Sequence, residues 1–149
     1  MLHILRCDSS NPDFQKLVIL LDADLKIRDG EDHTFYAQYN KIDTINHVVV
    51  AYVNGKPVGC GAIKHYATGI MEVKRMYTTE DNRGKGIASA ILKELEAWTG
   101  NLGYTKCILE TGIKQPEAIA LYKKNNFRII PNYGQYQGIP ESVCFEKQL

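Results

Sequence analysis

Gly84 and Gly86 stand in the stretch DNRGKGIASAIL, Asp81 to Leu92, between charged residues and an apolar run. Glycines ahead of a helix let a ligand come close to the backbone, because no Cβ stands in the way. A helix start offers free N–H groups and a partial positive charge, which together suit a phosphate. Arg83 and Lys85 add full charges. Two familiar phosphate loops do not fit. A Walker A loop needs Gly-Lys followed by Ser or Thr, and here Lys85 is followed by Gly86. A dinucleotide fingerprint needs a third glycine where Ser89 stands. The turn is therefore read as a pyrophosphate cradle of another type. Packing or turn geometry alone would explain a glycine pair equally well.

The elements that must carry this turn are legible in the periodicity. HILRC reads as a first strand. SNPDFQKLVILLDADL reads as a helix, capped by Asn11, with Pro12 in its first turn and Phe14, Leu17, Val18, Leu21 and Leu25 on one face. IRDGEDHTFYAQYNKID is polar, aromatic and weakly helical. HVVVAYV and KPVGCGAIKHY are β-branched runs joined by Asn54-Gly55, a strong hairpin signal. In GIMEVKRMYT, Met71 and Val73 share one parity while Met76 has the other, so a bulge is expected between them. A helix then starts near Gly84 and runs to about Asn101, with Ile87, Ile91, Leu95, Trp98 and Leu102 at helical spacing and Gly103 as terminator. YTKCILET is a strand. QPEAIALYKKNNF is a helix with Pro116 near its start and Asn126 in a left-handed terminating position. FRII and SVCFEK are closing strands around the loop PNYGQYQGIPE.

The 149 residues suffice for one domain with a proper core, taken as residues 1–149. A formal net charge of +1 gives no support to a nucleic-acid or acidic-membrane partner. The beginning MLHILRCDSSNPD is too short and polar for a signal peptide, and no apolar run is long enough to span a bilayer. Cys7, Cys60, Cys107 and Cys144 are scattered, form no metal-binding pattern, and read as free thiols in a reducing cytoplasm. Cys144 is set apart by its place next to the expected site. No metal is expected.

RGKGIA fits the pattern Arg/Gln-x-x-Gly-x-Gly/Ala through Arg83, Gly86 and Ala88. EVKRMYT precedes it, and QPEAIALYKKNNF follows and is similar to Asn-x-x-Ala-x-x-Leu-Tyr-x-x-x-Gly-Phe. These motifs, in this order, resemble those of the GNAT superfamily of N-acetyltransferases, in particular a bacterial subgroup of small-molecule type. Gln115 replaces the usual Asn but also offers an amide, and Asn126 replaces Gly but tolerates left-handed geometry. The resemblance implies a single-domain α/β fold: a mixed sheet of six to seven strands with a splayed fourth strand, flanked by about four helices.

It also implies acetyl-CoA as donor. The turn from Arg83 through Gly84, Lys85, Gly86 and Ile87 to Ala88 would hold the pyrophosphate, with Gln115 offering its amide. The strand Met76, Tyr77 and Thr78 would pair with the pantetheine amides, and a backbone N–H near Met76 would polarise the thioester carbonyl. An amine acceptor must lose a proton before attack, because a lysine-like amine titrates at about 10.4. The departing thiolate must gain one. Tyr122 resembles the family's general acid; a core aromatic on a helix face is the plainer reading. Glu72 is the candidate base, with an exposed glutamate or an ion-pair partner of Lys74 or Arg75 as the plainer reading. Glu110 on the neighbouring strand is the runner-up. His65 lies near the site in chain order and reads as a surface or hairpin residue.

Acceptor recognition is expected from Glu31, Tyr36, Gln38 and Asn40 after the first helix, and from Glu110, Tyr133 and Tyr136. Carboxylates suit a cationic amine, and aromatics wall an acceptor. An ordinary polar loop with tyrosines packed over the sheet remains the alternative. The same motifs admit a protein- or peptide-modifying acetyltransferase and a non-catalytic acyl-CoA-binding module. A homodimer is suggested by the resemblance alone.

Overall fold

The computed structural model describes residues 1–29 and 44–149, the side chains of Arg28 and Asp29 excepted. The expected polar, weakly helical stretch after the first helix lies mainly outside them. The elements run β1 (Leu2–Cys7), α1 (Pro12–Asp29), β2 (His47–Val53), β3 (Lys56–Ala67), β4 (Ile70–Thr78), α2 (Ile87–Asn101), β5 (Lys106–Gly112), α3 (Pro116–Lys124), β6 (Arg128–Ile130) and β7 (Ser142–Gln148). Three α-helices are thus present among the described residues, against the four expected. Short 3₁₀ turns at Glu80–Asn82 and Gly134–Tyr136 complete them.

The sheet has seven strands in the order β1-β2-β3-β4-β5-β7-β6. Neighbours are antiparallel except β4 and β5, which are parallel because α2 carries the chain back across the sheet. β2 shows why an unbroken apolar run forms a strand here. Val48 and Val50 pack toward α1 with Phe14, Leu17 and Val18, while Val49 and Ala51 pack toward α2 with Ile91 and Leu95. Both faces of the strand are covered, so alternation with polar residues is absent.

Local signals act where they were expected. Asn11 Oδ1 accepts from the N–H groups of Asp13 at 2.8 Å and Phe14 at 3.1 Å, capping α1. Asn54 and Gly55 have φ of 52° and 79°, turning β2 into β3. Asn126 takes φ 70° after α3. The helix start differs from expectation: α2 begins at Ile87, with Gly86 as its N-cap. Leu102 is that helix's C-cap and is exposed.

β4 holds the expected bulge. Cys60 pairs with Tyr77 and Ala62 with Lys74, so Gly61 stands opposite two residues, Arg75 and Met76. Arg75 takes φ 59° there. The extra residue returns Met76 to the core of Met71 and Val73 and sends Tyr77 to the opposite one. The buried Arg75 head bonds Asp22 Oδ1 of α1 at 3.0 Å.

β4 and β5 pair only from Ile70 to Glu72, opposite Lys106 to Ile108. Beyond Glu72 the strands separate, β4 staying with β3 and β5 with β7. The wedge between them opens the sheet. Among the described residues, no helix is long and apolar enough to cross a membrane.

Candidate active site

A cleft of about 460 Å³ occupies this wedge. Its walls come from β4, the turn before α2, β5 and α3, with Leu21, Asp24 and Leu25 contributed by α1. Leu25, expected in the core, is only half-buried and faces this space.

The turn is built for an anion. Gly84 and Gly86 take φ of 76° and 81°, and a Cβ on either would meet nothing within 4 Å among the described residues. Left-handed geometry, rather than crowding, demands glycine here, and the space beside the backbone is open. Gly86 caps α2 without any side-chain hydrogen bond, and no acidic residue lies in the helix's first turn. Among the described residues, no side chain caps the first N–H groups of α2, which fits a pyrophosphate. Gly84, Gly86, Ile87 and Ala88 line the cleft; Lys85 is exposed and does not.

Arg83 behaves differently from a free phosphate-binding arginine. Its Nε donates to the Thr78 carbonyl at 2.9 Å, its Nη2 lies 3.9 Å from Asp24 Oδ2, and its head sits 5.5 Å from the Tyr77 ring centre. The side chain ties the turn to β4 and α1.

Met76, Tyr77 and Thr78 line the facing wall. From Val73 onward, β4 has no pairing with β5 among the described residues. The carbonyls of Arg75 and Thr78 already accept from Cys60 Sγ and Arg83 Nε, and the remaining backbone groups on that edge can meet an extended ligand. Gln115, at the N-cap of α3, also lines the cleft.

Glu72 is the last β4 residue paired with β5, and it lines the cleft at 8% exposure. Its Oε1 lies 3.5 Å from Lys74 Nζ, and its Oε2 accepts from the Tyr133 hydroxyl at 2.5 Å. Arg75 pairs with Asp22 instead. Glu110 faces the same cleft from β5.

Tyr122, at 5% exposure, has its ring edge-on to Phe127 at 5.9 Å and tilted toward Phe145 at 5.7 Å. It belongs to the core and to the cleft wall at once. Burial, and secondarily the charge of Glu110, push its hydroxyl above the ordinary phenol value.

Tyr136 also lines the cleft, is buried, and has its hydroxyl pushed up by burial and then by Glu110 and Glu72. Tyr133 does not line it; the ring stands behind Glu72. Glu31, Tyr36, Gln38 and Asn40 lie outside the described residues. His65 is exposed and shares a 2.8 Å hydrogen bond with the Tyr104 hydroxyl. The thiols are protected: burial raises Cys60 to about 12 and Cys107 and Cys144 to about 11. A thiol in that range is no ready nucleophile at neutral pH.

Two residues escaped the sequence reading. Asn125 is buried and its Nδ2 donates to the Leu121 carbonyl at 2.9 Å and to Ser89 Oγ at 3.1 Å. Ser89 lines the cleft in the first turn of α2. The signal available was a hydroxyl one turn into a helix that starts with glycines.

Comparison with known proteins agrees with this geometry. The family description "Acetyltransferase (GNAT) domain" matches residues 44–129. An IAA acetyltransferase of Azospirillum brasilense is 38% identical over 102 residues, covering 68% of this chain and 67% of that protein. The crystal structure of a putative acyl-CoA N-acyltransferase from Klebsiella pneumoniae superposes with a TM-score of 0.84 at 29% identity, covering 100% of this chain and 98% of that one. A GNAT acetyltransferase of Elizabethkingia anophelis, solved with acetyl-CoA bound, shares the fold at a TM-score of 0.69 and 18% identity, covering 99% and 98% of the two chains. With its glycine turn, splayed strand and helix tyrosine in place, the chain belongs to the GNAT family of acetyltransferases.

Proposed function

We propose that this acetyltransferase moves the acetyl group of acetyl-CoA onto the primary amine of a small-molecule or amino-acid-like acceptor, by direct attack of the amine on the thioester. The observation that carries the reading is the gathering of four features in one cleft: a glycine-capped helix start without a side-chain cap bond, a strand edge that leaves its neighbour, a buried carboxylate and a buried phenol. A cleft of about 460 Å³ is in the range of small-ligand sites.

Acetyl-CoA supplies the activated acyl group. The N–H groups at Gly86 to Ala88 hold its pyrophosphate, and the free edge of β4 from Met76 to Thr78 holds its pantetheine arm. Glu72 accepts the proton that the acceptor's ammonium must lose before its nitrogen can attack. A backbone N–H near Met76 faces the thioester oxygen as charge gathers there. As the carbon–sulfur bond breaks, Tyr122 passes its hydroxyl proton to the sulfur, and the second proton shed by the newly acylated nitrogen restores the phenol. Burial disfavours the thiolate as it disfavours the phenolate, so the transfer stays feasible although the phenol's own value is raised. The free cysteines suit a reducing cytoplasm as the place of reaction.

The test is CoA-thiol release from acetyl-CoA over a panel of amines, amino acids, polyamines and aminoglycosides. Release with at least one small acceptor, lowered about a hundredfold in Tyr122→Phe, supports the reading. Tight CoA binding with no release for any acceptor overturns it.

A further inference from the structure

The fold brings a distant loop to the catalytic strand. The loop joining β6 to β7 reaches Glu72, where β4 and β5 part, through Tyr133. That loop is braced: Asn132 Nδ2 donates to the carbonyls of Ile139 at 2.8 Å and Ser142 at 3.1 Å. Tyr133 follows Asn132 and introduces the 3₁₀ turn Gly134–Tyr136.

The Tyr133 ring is held on two sides. Tyr66 of β3 meets it edge-on at 5.2 Å and 77°, and Tyr136 at 5.7 Å and 89°. Gly134 keeps this arrangement close, since a Cβ there would lie 3.1 Å from the Tyr66 hydroxyl. The Tyr133 hydroxyl points at Glu72 and donates to Oε2 at 2.5 Å. Lys74 stands 3.5 Å from the other oxygen. The hydroxyl keeps its proton because burial, the Glu72 charge and the hydrogen bond all push it well above the ordinary phenol value.

We propose that Tyr133 is a positioning residue of this active site, its hydroxyl fixing the Glu72 carboxylate in the orientation that receives the acceptor's proton. Tyr133 sits outside the cleft lining and acts through Glu72, which lies on that lining. A glutamate side chain is free to rotate about three bonds. Two-sided bonding removes that freedom before the acceptor arrives, and still leaves lone pairs open to it. Reaction rates respond steeply to small displacements of such a group. The inference rests on the reading of Glu72 as proton acceptor.

Three variants separate the two claims: Tyr133→Phe, Glu72→Gln and the pair together. Tyr133→Phe keeps the ring contacts and removes one hydrogen bond. Its kcat is expected to fall by about tenfold, with KM for acetyl-CoA and the melting temperature near wild type. Glu72→Gln is expected to lose about a hundredfold or more in kcat. The double variant should match Glu72→Gln, because Tyr133 acts only through that carboxylate. Wild-type kcat in Glu72→Gln overturns the base assignment itself. A slow Glu72→Gln beside an unimpaired Tyr133→Phe overturns the positioning role alone, as does a double variant in which the two losses multiply. If Tyr133→Phe does not fold, Tyr66→Ala carries the same comparison: a smaller loss of kcat, absent in the Glu72→Gln background, is expected, and no loss overturns the role.

Discussion

Asn125, the C-cap of α3, and Ser89 of α2 share a hydrogen bond of 3.1 Å in which the Asn125 Nδ2 donates to the serine oxygen. The amide cannot be turned the other way, because the same nitrogen donates to the Leu121 carbonyl at 2.9 Å. Ser89 Oγ is thus an acceptor in this pair, and its own proton is left for a partner on the cleft side.

Ser89→Ala is expected to raise KM for acetyl-CoA by about tenfold, the worth of a hydrogen bond to a charged group, and to leave kcat near wild type. Steady-state kinetics with varied acetyl-CoA and calorimetric titration with CoA measure it. A change in kcat alone would remove Ser89 from the cofactor's contacts.

Gly86→Glu should abolish CoA binding while the chain stays folded. It places a carboxylate at the N-cap where phosphate would sit, and its Cβ would meet no described residue within 4 Å. Left-handed φ at 81° adds a cost of about 1–2 kcal/mol for any side chain there. Gly86→Ala carries the strain without the charge, so comparing the two by calorimetry and thermal melts separates the effects.

Tyr122→Phe should keep the core contacts with Phe127 and Phe145 and lose about a hundredfold in kcat. The pH dependence follows from the direction of its shift. Burial and Glu110 raise the folded value, the acid form is the active one, and so its proton stays in place above the ordinary phenol value of about 10. The wild-type kcat is expected to show no fall due to this group up to about pH 10. A falling limb centred near pH 8 that disappears in Tyr122→Phe would contradict the placement.

Gly61→Ala tests the bulge. Its new Cβ would stand 2.6 Å from Met76 Sδ and 2.9 Å from Leu95 Cδ1. Overpacking of this kind costs about 1–3 kcal/mol, readable by urea unfolding. Because Met76 sits at the bulge beside the thioester's expected place, kcat should fall as well. A stable variant with full activity would mean that the bulge tolerates movement.

What the sequence by itself determined is what short range controls. Backbone handedness at Asn54-Gly55 and Asn126, the cap at Asn11 and the parity slip through Arg75 depend on residues a few positions apart. Steric and capping rules act at that distance, so they were legible. The motifs around them were specific enough to indicate the family. Tertiary structure alone decided the partnerships. Tyr133 meets Glu72 across 61 positions, Asn125 meets Ser89 across 36, and Arg83 turns away to Thr78 and Asp24. The Tyr133–Glu72 contact depends on the β6–β7 loop reaching the end of β4's pairing with β5. The approach of α3 to α2 depends on both helices covering the same face of the sheet. No local preference encodes either arrangement, because each follows from how the whole sheet buries its two faces.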